Sequence, residues 1–389
     1  MRKERSRDCG FASLRGDSMK HTKSSWAIAL AAALCMAATV PAAASGGASE
    51  KGGLDLTGPY EVVEGWFKPG IDGWDQRVVA VNAEDPNRVF IGAVDRNDTR
   101  EGHPMLTADG KVMKEKTKVV RDNNNFEKGD VNNLLVLNAN GEVIENWSQW
   151  NHEISIAHHI VIDPYDPEHA VWVVDRFNHR ILKFSNDGKQ LLLKVGEKGV
   201  PGNDENHFHD PASLAFLPDG SFYVADGYTN SRVVKFDKNG RYLTSWGSRG
   251  TAPGQFNLVH SVAVDANRVY VADRSNDRIQ VFDHDGKFLD LWPGTARVTR
   301  VLTTEDKRVC VSATQYGRFA CYDLNGKLMS QWGALGSAPG VTDNAHQIDV
   351  DNEGNFYVAD ANNNRVQKFV PKKGANKAQL IGKELVLKK

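Results

Sequence analysis

The chain has 389 residues, 40% of them hydrophobic and 25% charged, with a formal charge of −1. That supports one large domain of ordinary soluble composition. Without a basic excess it excludes an electrostatic nucleic-acid binder, and its one long apolar run is too short and too small-sided to anchor it in a membrane.

That run, WAIALAAALCMAATV, is the first element. Met19 opens it better than Met1. Lys20, His21 and Lys23 form a basic start, and Ala42, Ala43 and Ala44 before Ser45 fit small-residue cleavage. Residues 1–44 therefore read as a signal peptide (true start Met19), 45–57 as a linker and 58–389 as the folded domain, giving a periplasmic or secreted product. Residues 1–44 hold seven Lys/Arg against three Asp/Glu, which leaves the rest at −5.

A recurring segment follows. A divergent copy starts near Val78 (VVAVNAEDPNRVFIGAVDR) and resumes at VNNLLVLNANGEVIENW after a polar insertion at 97–130, too long for a hairpin turn. Further copies start at His158, Ala212, His260, Arg300 and His346. Each has short runs of period-two alternation separated by Asp-Gly, Asn-Gly and similar turns, the mark of strands and tight hairpins. A period of roughly 40–50 residues with four strands per copy reads as an all-β, six-bladed β-propeller.

Three copies open with histidine: His158 in HHIVID, His260 in HSVAVD and His346 in HQIDVD. The copies between them carry Ala212 and Arg300 at that offset. Alternate blades of a six-fold ring stand about 120° apart, so three imidazoles from distant stretches can meet on the axis. Three neutral imidazoles with an open fourth position suit catalytic zinc. The other histidines, His159 and His179 among them, have no such repeat logic and read as surface or loop residues. The residues after each V-A-D share the histidine face, because the second strand runs antiparallel to the first. They include Arg176, Tyr228 and Arg274, with Arg96 in the first copy. Zinc and a nearby guanidinium would favour the Tyr228 phenolate and make it a base. Arg274 could hold a substrate carboxylate bidentately, whereas Arg232 and Arg278 read as inter-blade salt bridges. Cys310 and Cys321 flank the turn of a blade 5 hairpin, as either a cross-strand disulfide or two buried thiols. The basic C-terminal stretch reads as solvated surface.

The stretch HFHDPASLAF…FYVADGYTNSRVVKF…GQFNLVHSVAV…VYVADRSNDRIQVF resembles the lyase module of peptidylglycine α-amidating enzymes, within the wider class of NHL-repeat propellers. The match is closest from about 156 to 283 and returns at AHQIDVDNEGNFYVAD. The resemblance implies cleavage of a peptidyl-α-hydroxyglycine to a peptide amide and glyoxylate. It also implies His158, His260 and His346 as zinc ligands, Tyr228 as the catalytic tyrosine, and Arg274 and Arg96 as active-site arginines. It further implies an axial calcium held partly by the backbone carbonyls of Val79 and Ile160. The partner is then a small peptide or peptide-like substrate, with no nucleic acid and no membrane, hydroxylated by a separate monooxygenase. Several positions depart from the family: Ala157, Val259 and Ala345 replace prolines, Asn344 a methionine, and Gln347 an aspartate that binds calcium. The family's blade 4 disulfide falls at Tyr270 and Val281, and the same cysteine spacing appears here one blade later. The alternatives are a non-catalytic NHL propeller that binds a protein, peptide or glycan, and a calcium-dependent lactonase-type hydrolase.

Overall fold

A computed structural model describes residues 56–70, 76–95, 105–106, 112–113 and 132–388. The expected signal peptide, most of the expected linker, Arg96 and most of the 97–130 stretch lie outside the described residues. Six four-stranded antiparallel sheets form the blades of a propeller. The innermost strands, in order, are Gln76–Asn82, Ala157–Ile162, Pro211–Phe216, Val259–Val264, Val298–Thr303 and Ala345–Val350. Each touches the innermost strand of the next blade, and the sixth touches the first, so the ring closes. Among the described residues the only helices are short 3-10 turns.

Closure uses a strand not expected from the sequence. Blade 6 takes its outermost strand from the chain start: Tyr60–Val62 pairs antiparallel with Arg365–Pro371. The signal was an omission, since the sixth copy lacks the final run that ends the others. Tyr60 is fully buried, and its hydroxyl bonds both the N–H (2.8 Å) and the C=O (3.3 Å) of Ile381. The C-terminal segment then crosses the face opposite the histidines. Its Leu385 N–H donates to Thr303 O (2.8 Å), Leu387 N–H to the Tyr165 hydroxyl (2.8 Å), and Glu384 takes two 3.1 Å bonds from buried Arg300. Its backbone and Glu384 are docked, while Lys373, Lys377, Lys383 and Lys388 remain exposed, as expected of a solvated basic stretch.

The polar turn of the repeat has a structural purpose. In four blades the aspartate ending the second strand (Asp175, Asp226, Asp273, Asp360) is fully buried. One oxygen accepts from an Asn and an Arg of its own blade. In blade 4 these are Asn276 Nδ2 at 2.8 Å and Arg278 Nε at 2.7 Å. The other accepts a backbone N–H of the segment entering the innermost strand, from Ser155, His209, Asn257 or Asp343, at 2.8–3.0 Å. Arg232 and Arg278 therefore form ion pairs within their own blades, not between blades.

The cysteines are joined: Cys310 and Cys321 face each other across neighbouring strands of blade 5, Cα to Cα 4.1 Å. Tyr270 and Val281 occupy the equivalent facing pair in blade 4.

Candidate metal centre

Every innermost strand slips register by one residue at the same place. The slips bracket Val79, His158, Ala212, His260, Thr299 and His346. These are β-bulges, which leave one residue unpaired and re-aim its side chain. The three histidines are thus bulge residues of blades 2, 4 and 6. The register also corrects the repeat alignment, because in blade 5 the equivalent residue is Thr299 and not Arg300. Arg300 lies one place later, where its guanidinium meets Glu384.

The imidazoles converge. Their potential ligand nitrogens all lie within 4.8 Å of one another, and each ring is at least 94% buried. The bulges orient them as well. His158 Nδ1 lies 2.7 Å from Ala212 O, and His260 Nδ1 2.7 Å from Thr299 O, each the bulge carbonyl of the next blade. A carbonyl can only accept, so it fixes the proton on Nδ1 and leaves the Nε2 lone pair towards the axis. Burial pushes the basicity of His158 and His260 well below that of a free imidazole. The other two imidazoles act the same way on His158, as Arg274 and then His346 do on His260. Both rings are therefore neutral, as metal ligands must be.

Tyr228 completes the cluster. Its hydroxyl lies 3.0 Å from His158 Nε2 and 2.8 Å from His260 Nε2. One hydroxyl has one proton, and it faces two nitrogen lone pairs. One lone pair is therefore left without a hydrogen, so the residues fit a metal ion, and three histidine nitrogens suit zinc. The Arg176 guanidinium stacks over the Tyr228 ring, 3.4 Å from its centroid. Gly227 permits this turn of chain, because a Cβ there would stand 2.0 Å from Val259 O.

Arg274 borders the same cluster. Burial lowers the pKa of its guanidinium, Tyr228 raises it and Arg297 lowers it again. A basin of about 500 Å³ opens beside it, lined by Arg77, Arg297, Asp343 and Asn362 among others. Sequence reasoning missed Arg77 and Arg297. Their signal was positional, since each stands two residues before its blade's bulge, on the rim of the mouth.

His159 is not a surface residue. It is 2% exposed, and its Nδ1 accepts the Leu214 N–H of blade 3 (3.2 Å). Ser213 does the same for Val262 (3.0 Å), Ser261 for Val301 (3.1 Å) and Gln347 for Val81 (3.3 Å). The residue after the bulge thus satisfies an N–H two places past the next blade's bulge, an edge group the sheet leaves unpaired. His179 is buried too, and its Nδ1 accepts the Asp210 N–H (3.1 Å). Gln347 also donates from Nε2 to Ile160 O (3.1 Å), so an oxygen expected to face calcium already faces an amide.

Residues 201–291 match a family model described as a 6-bladed beta-propeller, and residues 342–369 one described as the NHL repeat. The chain is 31% identical over 238 residues to peptidyl-glycine alpha-amidating monooxygenase A of Xenopus laevis, covering 55% of this chain but 24% of that protein. It is 32% identical over 179 residues to a probable peptidyl-alpha-hydroxyglycine alpha-amidating lyase of Caenorhabditis elegans, covering 44% of this chain and 50% of the relative. It is 31% identical over 272 residues to human NHL repeat-containing protein 3, covering 63% of this chain and 75% of the relative. The chain thus spans only about a quarter of the frog monooxygenase it matches.

Proposed function

The chain belongs to the NHL-repeat β-propellers, and on that scaffold we propose that it is a zinc-dependent lyase splitting a peptidyl-α-hydroxyglycine into a peptide amide and glyoxylate. The observation that carries this reading is the convergence of His158, His260 and His346, with the Tyr228 hydroxyl between His158 and His260. The matches to proteins named as amidating lyases support the same chemistry at modest identity.

One nitrogen of each imidazole, Nε2 in His158 and His260, would hold the zinc, which when bound supplies a Lewis acid for a substrate oxygen. Arg274 receives the glycine carboxylate as a bidentate partner, with Arg96 as the second arginine of the reading. Tyr228 Oη takes the proton from the α-hydroxyl oxygen. The C–N bond then breaks, the hydroxyl-bearing carbon becomes the aldehyde of glyoxylate, and the amide nitrogen receives a proton. The Arg176 stack holds the Tyr228 ring in place, so its oxygen stays between the imidazoles. The substrate is a small peptide or peptide-like molecule already hydroxylated by a separate monooxygenase. The disulfide fits the periplasmic or secreted location given by the leader.

The test is glyoxylate release from a hydroxyglycine peptide, alongside metal analysis. Tyr228→Phe should keep its zinc and lose roughly 10²–10⁴ in kcat, the range of a general base. Each single His→Ala variant should lose zinc. Full zinc binding in all three variants, or a Tyr228→Phe variant of undiminished kcat, would refute the reading.

A further inference from the structure

Gln347 is the residue after the blade 6 bulge, and its amide does more than its counterparts in the other blades. Ser213, Ser261 and His159 each accept one N–H from the next blade. Gln347 accepts the Val81 N–H of blade 1 at 3.3 Å and also donates to Ile160 O of blade 2 at 3.1 Å. The side chain is 4% exposed. Its orientation is fixed by its partners, because a backbone N–H can only donate and a carbonyl can only accept. One amide therefore joins three blades at the point where the ring closes. It does so two residues beyond His158 and one beyond His346.

An axial cation would need this space. Calcium gathers oxygen atoms at about 2.3–2.6 Å, whereas hydrogen atoms of the Gln347 amide are directed at the Ile160 oxygen. A second observation agrees. Buried Arg300 already pairs with Glu384 through two 3.1 Å bonds, so that carboxylate has its counter-charge and is not free to hold a cation.

We propose that Gln347 takes the place of an axial calcium ion, cross-linking blades 6, 1 and 2 through its own amide, so that this propeller closes without calcium. The inference does not rest on the lyase reading, since it concerns ring closure and needs no turnover.

The experiment uses the full protein, stripped of metals and reloaded with zinc alone. Thermal melts are recorded with and without calcium chloride, and bound calcium is measured after desalting. The wild type should melt at the same temperature in both buffers and retain no calcium. Gln347→Asp removes the donor and supplies a carboxylate. It should melt roughly 2–6 °C lower without calcium and regain much of the loss when calcium is added. Stoichiometric calcium in the wild type, or a wild-type melt raised by calcium, would overturn the proposal. So would a Gln347→Asp variant that melts like the wild type in both buffers. If the variant does not fold, the wild-type melts and calcium content still decide.

Discussion

The buried carboxylate of Asp273 offers the sharpest test of how the fold holds the metal centre. It is fully buried and accepts from Arg278 Nε (2.7 Å), Asn276 Nδ2 (2.8 Å) and Gln280 Nε2 (3.2 Å) on one oxygen, and from the Asn257 N–H (2.8 Å) on the other. Arg278 is 8% exposed, and its remaining bonds go to the carbonyls of Thr251, Ala252 and Gln255. Asp273→Ala leaves that guanidinium buried without its counter-charge, which costs about 3–5 kcal/mol. At about 2 °C per kcal/mol for a domain of this size, the melting temperature should fall by roughly 6–10 °C in a calorimetric scan. Blade 5 shows that the pair itself can be dispensed with, since Ala313 and Arg318 face each other at the same register and Arg318 is exposed. Removing both partners, as Asp273→Ala with Arg278→Met, should therefore recover most of the loss. A single variant melting with the wild type, or a double variant melting below the single, would refute this account.

Two further outcomes follow from local chemistry. Burial, reinforced by Glu384, pushes the Asp349 carboxyl up to about 7 from an ordinary value of 3.8. A carboxyl whose pKa is raised by folding favours the folded state fully below pH 4 and loses that contribution as pH rises through 7. Relative to wild type, Asp349→Asn should thus gain stability between pH 4 and pH 8, by up to about 4 kcal/mol, measured as the difference in denaturant unfolding at the two pH values; a pH-independent difference would contradict it. The Cys310–Cys321 bond closes a short loop with a sequence separation of 11. Replacing both with serine should cost roughly 2–3 kcal/mol while leaving zinc content unchanged, because the bond joins the second and third strands of blade 5 and not the innermost strand whose Thr299 carbonyl orients His260; loss of zinc would mean that the cross-link also holds that carbonyl in place.

The repeat period, the blade number and the histidine triad were legible because each rests on side-chain type at a fixed spacing. A His, a V-A-D or an Asn-Gly turn is visible as letters. The strand Tyr60–Val62 was not, because three residues carry no periodicity and their partner lies some 300 positions away. His159 was misjudged for a related reason. Its counterparts Ser213, Ser261 and Gln347 share a role, accepting one N–H, but not a residue type. Thr299 was displaced by one because the blade 5 copy lacks the histidine that marks the offset elsewhere, and only the slip between Val298 and Arg300 shows it. Arg77 and Arg297 were overlooked because a rim residue leaves no hydrophobic pattern.

The alternation of histidines has a cause beyond symmetry. A bulge re-aims a side chain and frees a backbone carbonyl that the ladder no longer uses. In blades 2 and 4 the side chain is an imidazole whose Nδ1–H needs an acceptor. Blades 3 and 5 supply it through the carbonyls of Ala212 and Thr299. A ring of donors alone would leave no carbonyl free of its own crowded imidazole, and the three rings already stand only 4.6–5.1 Å apart between centroids. Small residues at the intervening bulges leave room for the rings and keep the carbonyls accessible. Ala212 and Thr299 therefore belong to the centre as fully as the histidines do, through an atom that every amino acid possesses and that no sequence can display.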